Sequence, residues 1–160
     1  MKTSIEIERK FLLKQIPFGC DELVQLNIVQ HYVRDDDGNY RIRATYQDGD
    51  EVKYEKFYKT FIKEGVYEEK VFDITKDEFF LLARKKERSI SKKRILMPVS
   101  DGLKWEVDVF DHPLTLVVAE IEVPNLEHPI IMPDNIKEAM IMEVTQFRQF
   151  TNYALAIVQK

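Results

Sequence analysis

The sequence predicts an α+β domain whose about eight antiparallel strands close into a barrel with a charged lumen, flanked by a few helices. Three observations point this way. Residues alternate with period two along most of the chain, and helical spacing is confined to short stretches. Turn residues separate the alternating segments at hairpin distances. One register of most strands carries charge grouped by sign, while the opposite register is largely apolar.

The elements follow in order. "SIEIERKFLL" (4–13) is a first strand, with Glu6, Glu8 and Lys10 in one register and Ile5, Ile7, Arg9, Phe11 and Leu13 in the other. "PFGCDELVQL" (17–26) reads as a turn and a short helix. "NIVQHYVR" (27–34) and "YRIRATY" (40–46) are strands joined by "DDDGN", where Asp and Gly supply the turn angles. "VKYEKFYKTFIK" (52–63) is a long fourth strand, linked at 64–65 to a fifth, "VYEEKVFDI" (66–74). The period then changes. "TKDEFFLLARKKER" (75–88) is helical, capped by Thr75 with Glu78 three positions on, and Phe79, Phe80 and Leu82 face the core. The strands "SISKKRILMPV" (89–99), "LKWEVDVF" (103–110) and "LTLVVAEIEV" (114–123) follow, joined by "SDG" and "DHP" and ended by Pro124. "PDNIKEAM" (133–140) is a short helix with Asp134 or Asn135 near its cap, and "QFRQFTNYALAIVQ" (146–159) is a final helix.

Composition bounds the function. The 160 residues make one domain, 1–160, with 44% hydrophobic and 32% charged residues. A net charge of −4 argues against a surface built to grip nucleic acid. The lone Cys20 excludes an intrachain disulfide and a multi-cysteine zinc site. No apolar run reaches the ~20 residues of a membrane span. The chain enters a charged strand at once, so no signal peptide and a cytoplasmic setting are expected. There is no GxxxxGK[ST] loop. His31, His112 and His128 are scattered, and Trp105 reads as an outer-face core residue. The basic run 84–94 is read as the solvated end of a helix followed by a lumen strand.

Strand by strand, the charged register holds Glu6, Glu8 and Lys10; Arg41 and Arg43; Lys59 and Lys63; Glu69; Lys92 and Arg94; Glu106 and Asp108; Glu120 and Glu122. Carboxylates at i and i+2 sit roughly 6–7 Å apart. Their repulsion is about 0.6 kcal/mol in water and about 2.5 kcal/mol at an effective dielectric near 20. Repeated on an enclosed face, this calls for a counter-ion, and grouped carboxylates suit hard divalent cations such as Mg²⁺ or Mn²⁺. The Arg and Lys pairs call for an anion, and their spacing suits a chain of phosphates.

These residues resemble the CYTH, or triphosphate tunnel metalloenzyme, superfamily. "EIERK" at 6–10 is similar to its ExExK signature. "QHY" (30–32), "RIR" (41–43), "TFIK" (60–63), "KKR" (92–94), "WEVDVF" (105–110), "AEIEV" (119–123) and "EVT" (143–145) resemble its later motifs in the same order. The resemblance implies an eight-stranded tunnel that hydrolyses or cyclises triphosphate compounds with Mg²⁺ or Mn²⁺. It implies Glu6, Glu8, Asp108, Glu120 and Glu122 as metal ligands, supported by Glu106 and by Glu143 closing the site. Arg41, Arg43, Lys63, Lys92 and Arg94 are implied to hold phosphate, and Lys10 to hold phosphate or to orient Glu8; Lys59, from its place in the charged register, is expected to bind substrate beside them. Glu8, Lys63 and Glu69 are the expected catalytic residues, with water attacking near Glu8 or Glu69. Two departures stand out. The fifth strand has Tyr67 and Val71 where the family carries Arg and Glu, and Phe147 and Phe150 replace Asp and Tyr.

The expected partner is a small-molecule triphosphate: inorganic tripolyphosphate, thiamine triphosphate or a nucleoside triphosphate. The protein itself is expected to be a monomer or homodimer. An adenylyl cyclase and a non-catalytic polyphosphate- or nucleotide-binding module are the alternatives.

Overall fold

The computed structural model describes residues 1–112 and 116–158. Pro113 of the predicted "DHP" link, positions 114–115 of the predicted last strand and Gln159 of the predicted final helix lie outside the described residues, as does the side chain of His112.

Eight strands form the barrel: β1 (Lys2–Leu13), β2 (Gln25–Asp35), β3 (Gly38–Tyr46), β4 (Lys53–Lys63), β5 (Val66–Asp73), β6 (Lys86–Pro98), β7 (Lys104–His112) and β8 (Leu116–Glu122). Their order around the cylinder is β6-β2-β3-β4-β5-β1-β8-β7, and pairing of β7 with β6 closes it. Every pairing in the ring is antiparallel. Two short strands patch the ends. β9 (Met140–Glu143) pairs with the last residues of β1 beyond the end of β5, and β10 (Ile157–Val158) pairs with β6 at Arg88 and Ser89. Gly65 closes the β4–β5 hairpin at φ +76°, and an added Cβ there would stand 2.9 Å from the Glu8 carbonyl oxygen. The Gly65 carbonyl accepts from the Glu8 N–H at 2.8 Å, so this turn docks directly on the strand that bears Glu6 and Glu8.

The apolar registers face outward and are covered. Phe11, Ile95, Trp105, Val107 and Ile121 pack against Ile136 and Ala139 of α2 (Asp134–Ala139). Trp105 is fully buried, and its indole N–H donates to the Ile131 carbonyl at 2.9 Å. Val33, Tyr40 and Ile42 pack against Phe79 and Ala83 of α1 (Lys76–Ala83). Burying side chains of this size contributes about 1.5–3 kcal/mol each, which holds the helices on the barrel wall. A third cluster, Ile90, Phe110, Val118 and Ala156, lies in the inward register, so one end of the lumen is stoppered by apolar side chains and the C-terminal segment. No helix among the described residues is long and apolar enough to cross a membrane.

Five expectations are corrected. The 17–26 segment forms turns and no helix; Cys20 and Leu23 tuck into the outer core, and β2 takes over at Gln25. α1 keeps its cap, with Thr75 Oγ1 accepting from the Glu78 N–H at 3.1 Å, but it stops at Ala83. Residues from Lys86 pair with β2 instead, because strand pairing satisfies more backbone groups than a frayed helix end. Phe80 is 54% exposed, so only Phe79 and Leu82 face inward. α2 has Pro133 at its N-cap, with no side-chain cap from Asp134 or Asn135. The final helix is broken into a 3-10 turn, Arg148–Phe150, then α3 (Asn152–Leu155) and β10. Thr151 is extended, and its hydroxyl accepts from the Ala154 N–H, which ends one segment and caps the next.

Candidate active site

Pairing register decides which charges meet. Glu8 lies opposite Glu122, Lys10 opposite Glu120, and Glu106 opposite Glu120, so β1, β8 and β7 form a wall of carboxylates. Lys59 on β4 opposes Glu69 on β5 and reaches past β5 to Glu6 at 3.5 Å and Glu8 at 3.7 Å on β1. Lys10 pairs with Glu120 at 3.1 Å, and Arg41 with Glu69 at 3.2 Å. Arg41 and Arg43 lie over the Phe57 ring at 5.0 and 4.6 Å, and Arg43 also donates to Gln30 Oε1 at 2.9 Å. Arg94 contacts Glu106 at 2.7 Å and Glu120 at 4.0 Å. The lumen thus brings together Glu6, Glu8, Lys10, Arg41, Arg43, Lys59, Glu69, Lys92, Arg94, Glu106, Glu120 and Glu122.

The electrostatics are uneven. Burial and the neighbouring Glu120 push the Glu8 carboxyl up to about 7, against the pull of Lys59 and Lys10. Loss of hydration and the proximity of Glu6 and Glu106 push Glu122 up to about 7 as well, although it stands at the rim with solvent access. Burial raises Glu106 too. Glu120 goes the other way: burial works against its ionised form, but Lys10, Lys92 and Arg94 together hold it well below the usual carboxylate range. Burial lowers Arg43 to about 10, helped by Arg41 and Arg94.

Among the described residues two buried side-chain polar atoms are left without a hydrogen bond: Glu6 Oε2 and Arg41 Nε. The first is a spare acceptor in the acidic wall, since the Lys59 ammonium approaches it only at ion-pair distance. The second is a spare cationic donor on the opposite wall. No group of three Asp, Glu, His or Cys side chains among the described residues is arranged to hold a metal ion. The donor set itself is all carboxylate oxygen, crowded and partly unpaired, which is the chemistry a hard divalent cation takes.

A cavity of about 530 Å³ opens from this centre. Glu8, Lys10, Arg41 and Lys59 line it, together with aromatic side chains and Arg148, Thr151, Asn152 and Tyr153 of the C-terminal segment. Lys10 donates to the Phe150 carbonyl, and Lys92 to Asn152 Oδ1, both at 3.2 Å. Arg43, Lys92 and Arg94 stand behind the cavity rather than on it.

Three expected site residues are placed otherwise. Asp108 is fully buried, and its two oxygens accept from Lys92 at 2.7 Å and from Arg94 at 2.8 and 2.9 Å. It therefore neutralises the basic wall and has no oxygen free to ligate a metal. Lys63 follows a register shift between Phe61 and Lys63 and is exposed at the hairpin end, away from the cavity. Glu143 lies outside the barrel, on β9, where it accepts from Arg9 at 2.6 and 2.9 Å and from Thr145 at 2.7 Å. The sequence reading assigned no role to Gln30, Tyr32, Phe57 or Asn152. The first three could have been found from the period-two register of their strands. Asn152 had no local signal, because a broken helix brings it in.

No family model and no curated protein matches the sequence. Solved structures do. Two structures of the protein NE1496, one solved as a hypothetical protein and the other as an inorganic triphosphatase, align at 28% identity with a TM-score of 0.62. They cover 96% of this chain and 99% and 95% of theirs. The PH1819 protein of Pyrococcus horikoshii OT3 aligns at 19% identity and TM-score 0.56, covering 83% of this chain and 82% of its own, and shares the fold. With a closed eight-stranded barrel, walls of opposite sign lining its lumen and a likeness spanning nearly its whole length, the chain is similar in fold to the inorganic triphosphatase NE1496.

Proposed function

We propose that this protein is a divalent-metal-dependent triphosphatase that cleaves a phosphoanhydride bond of a small triphosphate compound inside the barrel. The observation that supports it most directly is the pair of orphaned atoms facing one lumen, a carboxylate oxygen on Glu6 and a guanidinium N–H on Arg41. A cation and an anion together satisfy both, and a metal–polyphosphate complex supplies the two at once. The likeness to an inorganic triphosphatase supports the same reaction class.

In this reading Glu6, Glu8, Glu120 and Glu122 would supply the carboxylate oxygens that hold Mg²⁺ or Mn²⁺, with Glu106 beside them. The metal would offset the carboxylate repulsion and draw charge from the phosphate oxygens. Arg41, Lys10 and Lys59 bind and align the phosphate chain from the cavity wall, and Arg43, Lys92 and Arg94 set the positive field behind it. Water attacks the terminal phosphorus, the bridging P–O bond breaks, and the shortened polyphosphate leaves. Glu8, the carboxylate on the cavity wall beside Lys59, is the expected acceptor of the water's proton. A cytoplasmic setting belongs to this reading and fits Cys20, a buried free thiol.

Orthophosphate release from tripolyphosphate, thiamine triphosphate and ATP, with Mg²⁺ or Mn²⁺ and then with EDTA, tests the proposal. Metal-dependent release that EDTA abolishes is expected. Cyclic AMP from ATP in place of phosphate would instead assign a cyclase, and tight binding without turnover a polyphosphate-binding module.

A further inference from the structure

The cavity changes character along its length. Its inner part is ionic, at Glu8, Lys10, Arg41 and Lys59, and its outer part is aromatic. The Lys59 ammonium that faces Glu6 and Glu8 also lies 4.3 Å over the Tyr67 ring. Tyr67 meets Phe61 edge-on at 5.9 Å between centroids. Phe61 in turn lies under the Arg148 guanidinium at 4.6 Å. A chain of aromatic contacts therefore leads from the Lys59 ammonium through Tyr67 to the exposed Phe61 ring, whose face lies under Arg148. Phe61 is 45% exposed there, a large apolar ring left in water beside a charged tunnel.

A bare chain of phosphates uses none of this. Phosphate is hydrated and non-planar, and gains nothing from an aromatic face. Nor does it need a cavity of about 530 Å³, a size typical of sites for larger organic ligands.

We propose that Phe61, Tyr67 and Arg148 form a stacking subsite for the uncharged heteroaromatic ring of a nucleoside 5′-triphosphate, whose phosphates reach inward to Lys59, Lys10 and Arg41. This rests on the triphosphatase reading for the placement of the phosphates. Every nucleobase has a π face, which stacks on aromatic rings and on the plane of Arg. The base stacks on the Phe61 face, with Tyr67 holding that ring edge-on, and the Arg148 guanidinium, freed from Phe61, covers the base's other face. Charge narrows the choice of ring. Arg34 and Arg148 line the cavity against the carboxylate of Glu87, so a cationic ring such as thiazolium is disfavoured.

Calorimetric titration with the β,γ-imido analogue of ATP and with imidotriphosphate, in Mg²⁺, separates ring from phosphate binding without requiring turnover. Phe61→Ala and Arg148→Gln alter exposed side chains and leave the buried clusters intact. Each is expected to lower the affinity ratio of ATP analogue to imidotriphosphate by about tenfold, the scale of losing one base-stacking contact. An unchanged ratio in both variants overturns the subsite, as does thiamine triphosphate displacing the ATP analogue more readily than the reverse. Tripolyphosphate hydrolysis together with an unchanged ratio would overturn the subsite and leave the triphosphatase standing. A ratio that falls in both variants, with no phosphate released from any substrate, would uphold the subsite and overturn the triphosphatase.

Discussion

Two groups of carboxylates in the same lumen have opposite fates. Around Asp108 the account closes: both oxygens accept short hydrogen bonds from Lys92 and Arg94, and burial is offset by charges that hold the acid ionised. Around Glu6, Glu8 and Glu122 it stays open. One oxygen has no hydrogen bond, two acids are pushed up to about 7, and the nearest ammonium stands off at 3.5 Å or more. The density of charge is similar in the two places. What differs is whether the fold has neutralised it. A satisfied ion cluster holds strands together, whereas an unsatisfied one is poised for a ligand, so function is sought where charge remains unpaired.

The closed cluster is the easier to break. Asp108→Asn keeps the shape but strips the counter-charge from Lys92, which is only 1% exposed, while Arg94 keeps Glu106 at 2.7 Å. Leaving the buried Lys92 ammonium uncompensated costs about 3–5 kcal/mol, which a urea or thermal melt reads directly. A loss below about 1 kcal/mol would mean that the cluster does not act as a unit.

The open cluster responds in the opposite sense. Glu8→Gln is expected to lower kcat by about 100-fold or more, as removal of a general base does, while the fold survives. Its stability should depend on pH in a defined direction. In the wild type the Glu8 carboxyl is raised from 4.5 to about 7, mainly by burial and then by Glu120, so the folded state holds a proton that the unfolded chain has released. Wild-type stability therefore falls as pH rises through that window, and Gln removes the loss. Melts at pH 5 and pH 8 check this: the variant gains on the wild type at pH 8. Full activity in Glu8→Gln would place the chemistry elsewhere.

Much of this was legible from alternation alone. Period two put Glu6, Glu8, Glu120, Arg41 and Arg94 on the inner face, because a strand buried on one side has no freedom to slip by a residue. It could not separate Asp108 from Glu120, which share the same register logic on neighbouring strands. Only the partner across the barrel decides which carboxylate is satisfied. Lys63 failed for a local reason, since a register shift at the hairpin end breaks the alternation that counting assumes. The C-terminal segment failed for a tertiary one. Its helical spacing is real, but Thr151 is extended, and Asn152 and Ala156 are drawn against the lumen by Lys92 and the apolar stopper.

The outer wall offers a smaller, contrasting pH effect. His31 lies on the outer face beside Phe79, with its Nδ1 2.6 Å from Ser89 Oγ. Burial, and then Lys86, lower it from 6.5 to about 4. It stays neutral when folded, so its contribution is fully present above pH 6.5 and is lost as pH falls toward 4. His31→Gln should flatten this acid limb by about 1 kcal/mol, or about 2–4 °C in Tm for a chain of this length. An acid limb as steep as the wild type's would assign it to other groups.

The smallest effect is expected where the resemblance pointed and the fold did not follow. Glu143 and Arg9 make a short, two-pronged ion pair, but their side chains are 33% and 30% exposed and lie outside the barrel. Water screens such a pair, so Glu143→Gln should cost about 0.2–1 kcal/mol. It should leave KM and kcat within about twofold, because no lumen charge changes partner. β9 nevertheless pairs with Phe11–Leu13 of β1, just beyond Lys10, so the variant also tests how stiff that strand is. A tenfold fall in kcat with an unchanged melt would mean that Arg9 and Glu143 hold Glu8 and Lys10 in line from outside, and that the unsatisfied cluster depends for its geometry on a satisfied pair across the barrel wall.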